Sequence, residues 1–340
     1  MKTFIQQKTI SRKRILSTIF ITLCLFLIHL SLDAQSRKIK SAKKIYKKEL
    51  EAFQKLIDNQ KQLNKMTRYQ YGVAGSYEKK YNRKHGLATK EDYKIPKKVG
   101  IMSFYINDKE YTEIGDVWVY KYSSSKEKVN AIVQRIYDQC INGIKEQYAS
   151  MGMELLSPDE ILTSEKLKHW YHNYPLPNLE GKAGVFDIAG NGAAVPDGYR
   201  LLPYGTVWGL HKFAKEQRDY FMGLDLDAFI IVEIKLTSAD NTLNGIIAKF
   251  YYKNPGFRES EHAKSKKFVE GYTAYSTGNV DINFKPPIRG IYLKDVVEYT
   301  NKRGKTDTKL APVDMNPNVG KLVEHIVVSL GRNSVKQITK

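Results

Sequence analysis

The sequence predicts an α/β (α+β) fold, in which helices flank a mixed β-sheet and a long basic amphipathic helix precedes it. Short apolar runs alternate with stretches of helical periodicity, and lysine is concentrated in one N-terminal segment. In addition, 42% of the 340 residues are hydrophobic and 27% are charged, a balance that allows a sizeable core. This composition excludes a disordered polymer, a disulfide scaffold, collagen and a multi-span membrane protein.

Residues 1–34 have the pattern of an export signal. Met1–Arg14 contains five basic residues and no acid, Ile15–Leu32 is an uncharged apolar run, and Ala34 precedes Gln35. A signal peptidase recognises a basic start, an apolar middle and a small residue at the cleavage point. We therefore predict an exported protein, periplasmic or outer-membrane associated, cleaved between Ala34 and Gln35. The alternative is an uncut inner-membrane anchor through 15–32, which is long enough for a marginal span.

Cleavage would leave a single cysteine, Cys140. One thiol cannot form an internal disulfide, so an oxidising compartment adds no covalent cross-link within the chain. A catalytic thiol needs a histidine partner and an electropositive, partly exposed site. Because Cys140 falls on the apolar stripe of a predicted helix, we predict a structural cysteine.

The net charge of +19 is concentrated in one segment. Residues 35–98 contain 19 Lys and Arg against 6 Asp and Glu, whereas residues 99–340 contain 31 against 29. We therefore divide the chain into a signal peptide (1–34), a basic helical leader (35–98) and a mixed α/β domain (99–340). Export also argues against nucleic acid as the partner of this basic segment, although tyrosines interleave with its lysines.

The leader begins with a predicted helix over Ser36–Met66. Its apolar residues recur at intervals of three and four and form one face, and lysines cover the remainder. The apolar residues are Ile39, Ala42, Ile45, Tyr46, Leu50, Phe53, Leu56, Ile57 and Leu63, and the lysines are Lys38, Lys40, Lys43, Lys44, Lys47, Lys48 and Lys55. The segment 36–66 could therefore contact an envelope protein or an anionic membrane surface. The alternative is a helix packed on its own domain, with its lysines in solvent.

Alternating elements are predicted in the first half of the domain. Val99–Ile106 is nearly all apolar, as in a buried strand, and Ile114–Tyr122 is a second strand or an insertion. Ser124 and Glu127 form a capping box for a helix that runs to Ser150 and ends at Gly152. That helix carries an apolar face of Val129, Ile132, Val133, Ile136, Cys140, Ile144 and Tyr148. A strand over Met153–Leu156 precedes a helix that starts at Ser157-Pro158-Asp159-Glu160 and ends before Pro175.

Strands dominate the predicted second half. Residues 173–205 are rich in proline and glycine, which predicts a binding loop or an undetected hairpin. A helix is predicted over Thr206–Met222 and another over Asn318–Leu330. Strands are predicted over Asp227–Leu236 and Gly245–Tyr252 with an Asp240-Asn241 turn, and over Phe268–Tyr275 and Val280–Phe284 with a 276–279 turn.

This order of elements resembles the α/β module of curli-secretion-type lipoproteins and the amino-terminal domain of the periplasmic protein TolB. The resemblance covers 99–253 and is carried by Lys97-Lys98-Val99-Gly100-Ile101, by Gly152–Glu160 and by Asp227-Ala228-Phe229-Ile230. The chain departs from these proteins in its insertions at 107–123 and 173–205, its missing lipid-anchor cysteine and its basic leader. The resemblance implies an envelope interaction or assembly module without catalysis.

Four sets of residues are candidates for a chemical site. Glu165, His169 and His172 share a helix face, and such sets bind zinc, but the HEXXH order is absent. Gly190-Asn191-Gly192 has neither the strand before it nor the helix after it that a phosphate loop needs. Asp225 and Asp227 are a carboxylate pair that fits turn formation better than glycoside chemistry. The aromatic residues Trp208, Tyr199 and Tyr204 fit core packing as well as contact with a glycan or peptide.

The sequence thus predicts a non-catalytic interaction or assembly module of the bacterial envelope, with no cofactor and no catalytic or metal residue assigned. The alternative is a metal-dependent hydrolase with a site near Glu165, His169 and His172 or in loop 173–205. A third class, a purely structural subunit, would self-associate and bind no ligand.

Overall fold

A computed structural model describes residues 37–71, 83–107, 109–114, 117–122, 126–173, 193–200, 223–237, 241–253, 255, 275–302 and 304–339. Within these residues the helices are α1 (37–58), α2 (Gln60–Met66), α3 (Lys126–Ser150), α4 (Pro158–Ile161), α5 (Glu165–Asn173) and α6 (Pro317–Thr339). The strands are β1 (Arg68–Tyr71), β2 (Lys98–Asn107), β3 (Lys109–Ile114), β4 (Val117–Tyr122), β5 (Glu154–Leu156), β6 (Ala193–Ala194), β7 (Ala228–Thr237), β8 (Thr242–Lys253), β9 (Tyr275–Ile288), β10 (Tyr292–Thr300) and β11 (Thr306–Met315).

The principal sheet is mixed, which confirms the predicted fold class. Its strands lie in the order β1-β9-β8-β7-β2-β5, and the short β6 pairs with the far end of β2. Strands β5, β2 and β7 are parallel, whereas β7, β8, β9 and β1 pair antiparallel. Helix α3 connects the parallel strands β2 and β5, as a crossover between parallel strands requires.

Helices cover both faces of this sheet. Alternate residues of β7 point to opposite faces, so Ile230 and Val232 join one core and Phe229 and Ile231 join the other. The first core also holds residues of α3 and α6, and the second holds residues of α4 and α5. Because both faces are covered, β2 and β7 are buried along almost their whole length, and this explains their nearly continuous apolar sequence.

Helix α3 agrees closely with the prediction. All seven residues of its predicted apolar face are buried, Cys140 among them. Gly152 has φ +80°, and the N–H of Met153 bonds to the carbonyl of Tyr148 at 3.0 Å, which closes the helix as predicted. The helix is described from Lys126 onward, and Ser124 of the predicted capping box lies outside the described residues.

The predicted single helix after Ser157 is wrong, because the chain forms two helices there. Glu160 accepts hydrogen bonds from both the backbone N–H and the hydroxyl of Ser157, each at 2.7 Å, so the predicted start is confirmed. Helix α4 nevertheless ends at Ile161. The Ser164 hydroxyl oxygen then accepts a hydrogen bond from the N–H of Leu167 at 3.2 Å at the start of α5. A serine side chain that bonds to backbone groups in this way competes with helical hydrogen bonds, and this favours a break between the two helices.

The predicted turn at 276–279 is also wrong, because these residues continue strand β9. Gly278 lies opposite Phe250 of β8 and opposite Tyr71 of β1. A Cβ atom at this position would lie 3.1 Å from the hydroxyl oxygen of Tyr69. The glycine therefore serves close approach inside a strand rather than a turn. The part of the predicted strand before Tyr275 lies outside the described residues, as does the predicted helix 206–222.

Four further elements differ from the predictions. Strands β7 and β8 form the predicted hairpin, but β7 is shifted by one residue and β8 begins three residues earlier than expected. Asn241 of the predicted turn has φ 53°. Of the segment 114–122, predicted as a strand or an insertion, residues 117–122 form one arm of the separate β3–β4 hairpin, and Ile114 ends the other arm. Helix α6 continues nine residues beyond the predicted end at Leu330, and its last turns bury Ser334 and Ile338. The strands β10 and β11, which form a second separate hairpin, were not predicted.

The predicted leader helix is present in two parts. Asn59 separates α1 from α2, and its side-chain oxygen accepts a hydrogen bond from the N–H of Gln62 at 3.0 Å. An asparagine that caps a new helix interrupts the preceding one. On α1 and α2 Phe53 and Leu63 are buried, whereas Ile45, which was placed on the apolar face, is exposed.

The chain divides into two compact units. Unit 1 comprises Met1–Glu51 and Lys294–Val313, and unit 2 comprises Ala52–Leu293 and Asp314–Lys340. Within unit 1, the Tyr46 hydroxyl accepts a hydrogen bond from the backbone N–H of Lys294 at 2.9 Å. The Lys294 ammonium also lies 5.5 Å from the Tyr46 ring centroid. These contacts attach the β10–β11 hairpin to α1, and such support matters because an isolated hairpin is marginally stable.

Among the described residues, no helix has both the length and the apolar character needed to cross a bilayer. The apolar run 15–32 lies outside the described residues.

Candidate functional site

The candidate zinc ligands Glu165, His169 and His172, all within the described residues, do not form a metal cluster. Glu165 pairs with Lys168 at 3.1 Å, and the ring Nδ1 of His169 lies 3.1 Å from the amide of Asn173. Both histidines and Glu165 are exposed on α5. In the described part of the chain, no group of three or more His, Cys, Asp or Glu side chains is arranged to hold a metal ion.

Asp225 and Asp227 hold the start of strand β2. One carboxylate oxygen of Asp227 accepts bonds from the backbone N–H groups of Lys97 and Lys98, at 2.7 and 3.0 Å. Asp225 forms an ion pair with the Lys98 ammonium, and this pair lowers the pKa of Asp225 and raises that of Lys98. Both carboxylates are bonded to residues at the start of β2, and this supports a structural role for the pair rather than a role in glycoside chemistry.

Two other candidates from the sequence take structural positions. Burial raises the pKa of the Cys140 thiol, which is consistent with an inert core cysteine. Tyr199 is buried, and its hydroxyl lies 3.0 Å from that of Tyr137. Trp208, Tyr204 and Gly190-Asn191-Gly192 lie outside the described residues.

A buried polar cluster that the sequence analysis missed lies near the carboxyl ends of β2 and β7. Its members are Tyr105, Asn107 and Glu233, and we name them the carboxylate cluster. Glu233 is only 9% exposed, and its Oε1 accepts a hydrogen bond from the Asn107 amide at 3.0 Å. Burial, followed by the charge and hydrogen bond of Glu233, raises the pKa of Tyr105 well above its usual value. The Oδ1 atom of Asn107 is buried without a hydrogen-bond partner.

The sequence contained a signal for this cluster. Glu233 is the single charged residue within the otherwise apolar run Ala228–Ile234. A carboxylate in a buried strand is unfavourable unless other groups satisfy it, so such a position indicates either a specific network or a site.

The proline- and glycine-rich loop 173–205 returns to the sheet beside the carboxylate cluster. Its described part contains β6, in which Ala193 pairs with Asn107 and Ala194 with Ile106. The following residues are fixed by hydrogen bonds, including one of 2.9 Å from the Ser103 hydroxyl to the Arg200 carbonyl. The structure therefore brings the middle of the predicted binding loop next to Asn107, whose amide donates to the buried Glu233 carboxylate.

A pocket of about 340 Å³ lies near the amino ends of β2 and β7. Apolar atoms of Ile95, Pro96 and Tyr252 contribute to its lining, together with Lys97 and Asp227. The carboxylate of Asp227 is already engaged by two backbone N–H groups of β2. Of the other charged lining residues, Asp92 accepts a hydrogen bond from the N–H of Thr89 and the Lys253 ammonium donates to the Leu224 carbonyl, so these groups are also engaged within the protein.

A lysine-rich surface lies on the part of α1 that belongs to unit 1. We call it the basic face, and it consists of Lys38, Lys40, Lys43, Lys44, Lys47 and Lys48, all of which are exposed. Among the described residues, Lys47 alone of these six forms an ion pair, with Glu51 at 3.9 Å. The exposure of all six lysines agrees with the prediction that they lie mostly outside the apolar face.

The hairpin of unit 1 adds exposed basic residues at its tip. The N–H of Asn301 bonds to the carbonyl of Lys305 at 2.9 Å, and Gly304 has φ 72°, which a tight turn between strands requires. Lys302 and Lys305 are exposed on this turn.

The fold and these sites define a mixed α/β protein with a basic surface unit and a buried carboxylate beside a loop. No family model, no curated protein and no solved structure matches the chain significantly.

Proposed function

We propose that the protein is an exported, non-catalytic interaction module that binds an anionic surface through the basic face of α1. The observation that best supports this is the row of six exposed lysines, five of which lack an ion pair among the described residues. A lysine face that only solubilises a helix is usually interspersed with acids at positions i+3 and i+4. Here the segment 37–51 contains seven basic residues and only two acidic ones.

The spacing of these lysines suits a flat or extended partner. Lys40, Lys44 and Lys48 follow one another at intervals of four residues, so they form a line along the helix. Neighbours in this line rise by about 6 Å, which is shorter than the screening length of about 10 Å at 0.1 M salt. The charges therefore act together on an anionic surface, and binding should weaken as salt is raised.

Neutralising the line of lysines tests the proposal. Each lysine near an anionic lipid surface contributes about 1 kcal/mol, so Lys40→Gln, Lys44→Gln and Lys48→Gln together should weaken binding by roughly 100-fold at low salt. The full chain would be sedimented with phosphatidylglycerol-containing vesicles, which serve as the anionic surface, over a range of salt concentrations.

The matched control neutralises three exposed lysines of unit 2, Lys90, Lys94 and Lys166. This variant has the same net charge as the test variant, so it separates the position of the charge from its amount. If the two triple variants lose binding equally, or neither loses any, the basic face is only a solvated helix surface and the proposal is wrong.

Export is supported by the pattern of residues 1–34 and has its own test. Intact-mass analysis of the protein in fractionated cells should find a chain that starts at Gln35 in the periplasmic or outer-membrane fraction. An uncut chain in the inner membrane would instead make 15–32 an anchor.

A second candidate function is a hydrolase or ligand-binding protein whose site includes loop 173–205. It is favoured by the carboxylate cluster, because β6 of that loop pairs with Asn107 beside the buried Glu233. In open α/β sheets, ligands bind outside the carboxyl ends of the parallel strands, which is where this cluster lies. The metal-dependent form of this alternative at Glu165, His169 and His172 has no such support.

A further inference from the structure

Unit 1 combines its basic surface with exposed aliphatic side chains. Three large hydrophobic residues are exposed in the described part of the chain, and the two most exposed both belong to this small unit. They are Ile45, which is 56% exposed, and Val313, which is 57% exposed. The third, Ile95, is 40% exposed and belongs to unit 2.

Each of these two residues shares a surface with lysines. Helical spacing places Ile45 beside Lys48, three residues later, and beside Lys38, seven residues earlier. On β11 the period of two places Val313 on the same strand face as Lys309, which is also exposed. Among the described residues, each of these aliphatic side chains is therefore a single exposed residue that shares the face of its own element with lysine.

This pattern distinguishes a lipid surface from a protein partner. A protein–protein interface has a contiguous apolar centre that is enriched in aromatic residues and arginine, and lysine is depleted there. A helix on a membrane surface instead places lysines at the headgroups and inserts apolar side chains at the boundary of the acyl chains. Exposed aliphatic residues that share a helix or strand face with lysine fit the second arrangement.

We infer that unit 1 docks on an anionic phospholipid bilayer, with the basic face at the headgroup phosphates and with Ile45 and Val313 inserted below them. This inference rests on the proposed function and adds to it the nature of the surface. The tip lysines Lys302 and Lys305 contribute further cations from the hairpin.

Neutral substitutions separate insertion from charge attraction. The full-length double variant Ile45→Ser with Val313→Ser keeps the net charge, as does the control Ile95→Ser in unit 2. On vesicles of phosphatidylglycerol and phosphatidylcholine, the double variant should partition about 100-fold more weakly, because removing one aliphatic side chain from an apolar phase weakens partitioning about tenfold. The control should partition like the unchanged protein, and circular dichroism confirms that all variants are folded.

A fluorescence measurement reports insertion even if the run 15–32 holds the chain on vesicles. Tryptophan is introduced at Ile45 in one variant and at Ile95 in another, and the native tryptophan signal is subtracted. Brominated acyl chains should quench the tryptophan at position 45 on anionic vesicles and leave that at position 95 unquenched. Equal quenching at both positions, or none at either, would overturn the inference.

The variants also distinguish the two proposals. If the lysine variant loses binding while the serine variant does not, and the tryptophan at position 45 is not quenched, the protein binds an anionic surface without inserting side chains into a bilayer. If the lysine variant binds like the unchanged protein, the proposed function itself fails.

Discussion

Replacing Gly320 and Gly331 together by alanine is expected to destabilise the protein by about 3 kcal/mol. Both glycines lie on α6 where it packs against α3. A Cβ at Gly320 would lie 2.6 Å from the Cβ of Gln139, and one at Gly331 would lie 2.8 Å from Cζ of Tyr148. The Tyr148 ring cannot move aside easily, because it is fully buried and its hydroxyl donates to the Val327 carbonyl at 3.1 Å.

The estimate combines two opposing effects. Overpacking a dense interface costs about 1–3 kcal/mol per site, whereas replacing a helical glycine by alanine returns up to about 1 kcal/mol of helix propensity. The two sites are eleven residues apart on one helix, about 16 Å, so their effects should add. Equilibrium urea unfolding, followed by circular dichroism and tryptophan fluorescence, measures the change.

The control is the same substitution at Gly143, on the other helix of this interface. The three atoms nearest to a Cβ there belong to the Glu324 carboxylate group, the closest at 2.5 Å, and this flexible end of a side chain can turn aside. Gly143→Ala should therefore be neutral or slightly stabilising. A double Gly320 and Gly331 variant as stable as the unchanged protein would show that α3 and α6 are packed less closely than described.

Elements with strong local signals were predictable from the sequence. The apolar period of α3, the glycine at its end and the Ser157 cap each depend on neighbouring residues alone, and each is confirmed. The paired strands β7 and β8 were predictable for the same reason, because their apolar runs flank a short turn.

Elements that depend on distant contacts were not predictable in this way. Strand β9 has a glycine at position 278 because the Tyr69 hydroxyl approaches closely there. Helix α6 has a glycine at position 331 because the Tyr148 ring approaches closely there. Both contacts join segments far apart in the sequence, so nothing near either glycine distinguishes it from a turn. The β10–β11 hairpin is similarly supported by Tyr46 of α1.

The candidate sites show the same division. The basic face follows from helical periodicity, and so it was expected. The carboxylate cluster depends on the register that places Tyr105 opposite Glu233 in neighbouring parallel strands. The register between strands that are far apart in the chain cannot be obtained from one sequence. The single charge of Glu233 within an apolar run nevertheless indicated that this strand contains a buried polar group.

Removing both hydrogen-bond donors of the carboxylate cluster is expected to destabilise the protein by about 4 kcal/mol at pH 7. Tyr105→Phe and Asn107→Leu together leave the Glu233 carboxylate buried without these partners. An uncompensated buried charge costs about 3–5 kcal/mol. Adding Glu233→Leu to this variant should restore most of the loss, because the unsatisfied group is then absent. Urea unfolding of the double and triple variants measures both changes.

Alkaline pH provides an independent check on Tyr105. Its pKa is raised well above the usual value of 10.0 in the folded chain, so the unfolded chain loses this proton first as pH increases. The folded state is therefore destabilised as pH rises through 10. Tyr105→Phe removes this contribution, so the variant should lose less stability above pH 10 than the unchanged protein does. An identical pH dependence would contradict the buried position given to Tyr105, since burial is the largest cause of its raised pKa.

The single variant Glu233→Leu decides what the cluster is for. Well-packed apolar residues often replace buried charges without loss, so we expect this variant to be at least as stable as the unchanged protein. A carboxylate that can be removed without loss of stability is kept for another reason, and groups retained in this way belong to functional sites. Together with loop 173–205 at Asn107, that outcome would favour the second candidate function. A loss of more than about 3 kcal/mol would instead show that Glu233 fixes the pairing of β2 and β7, and the basic face would remain the better supported site.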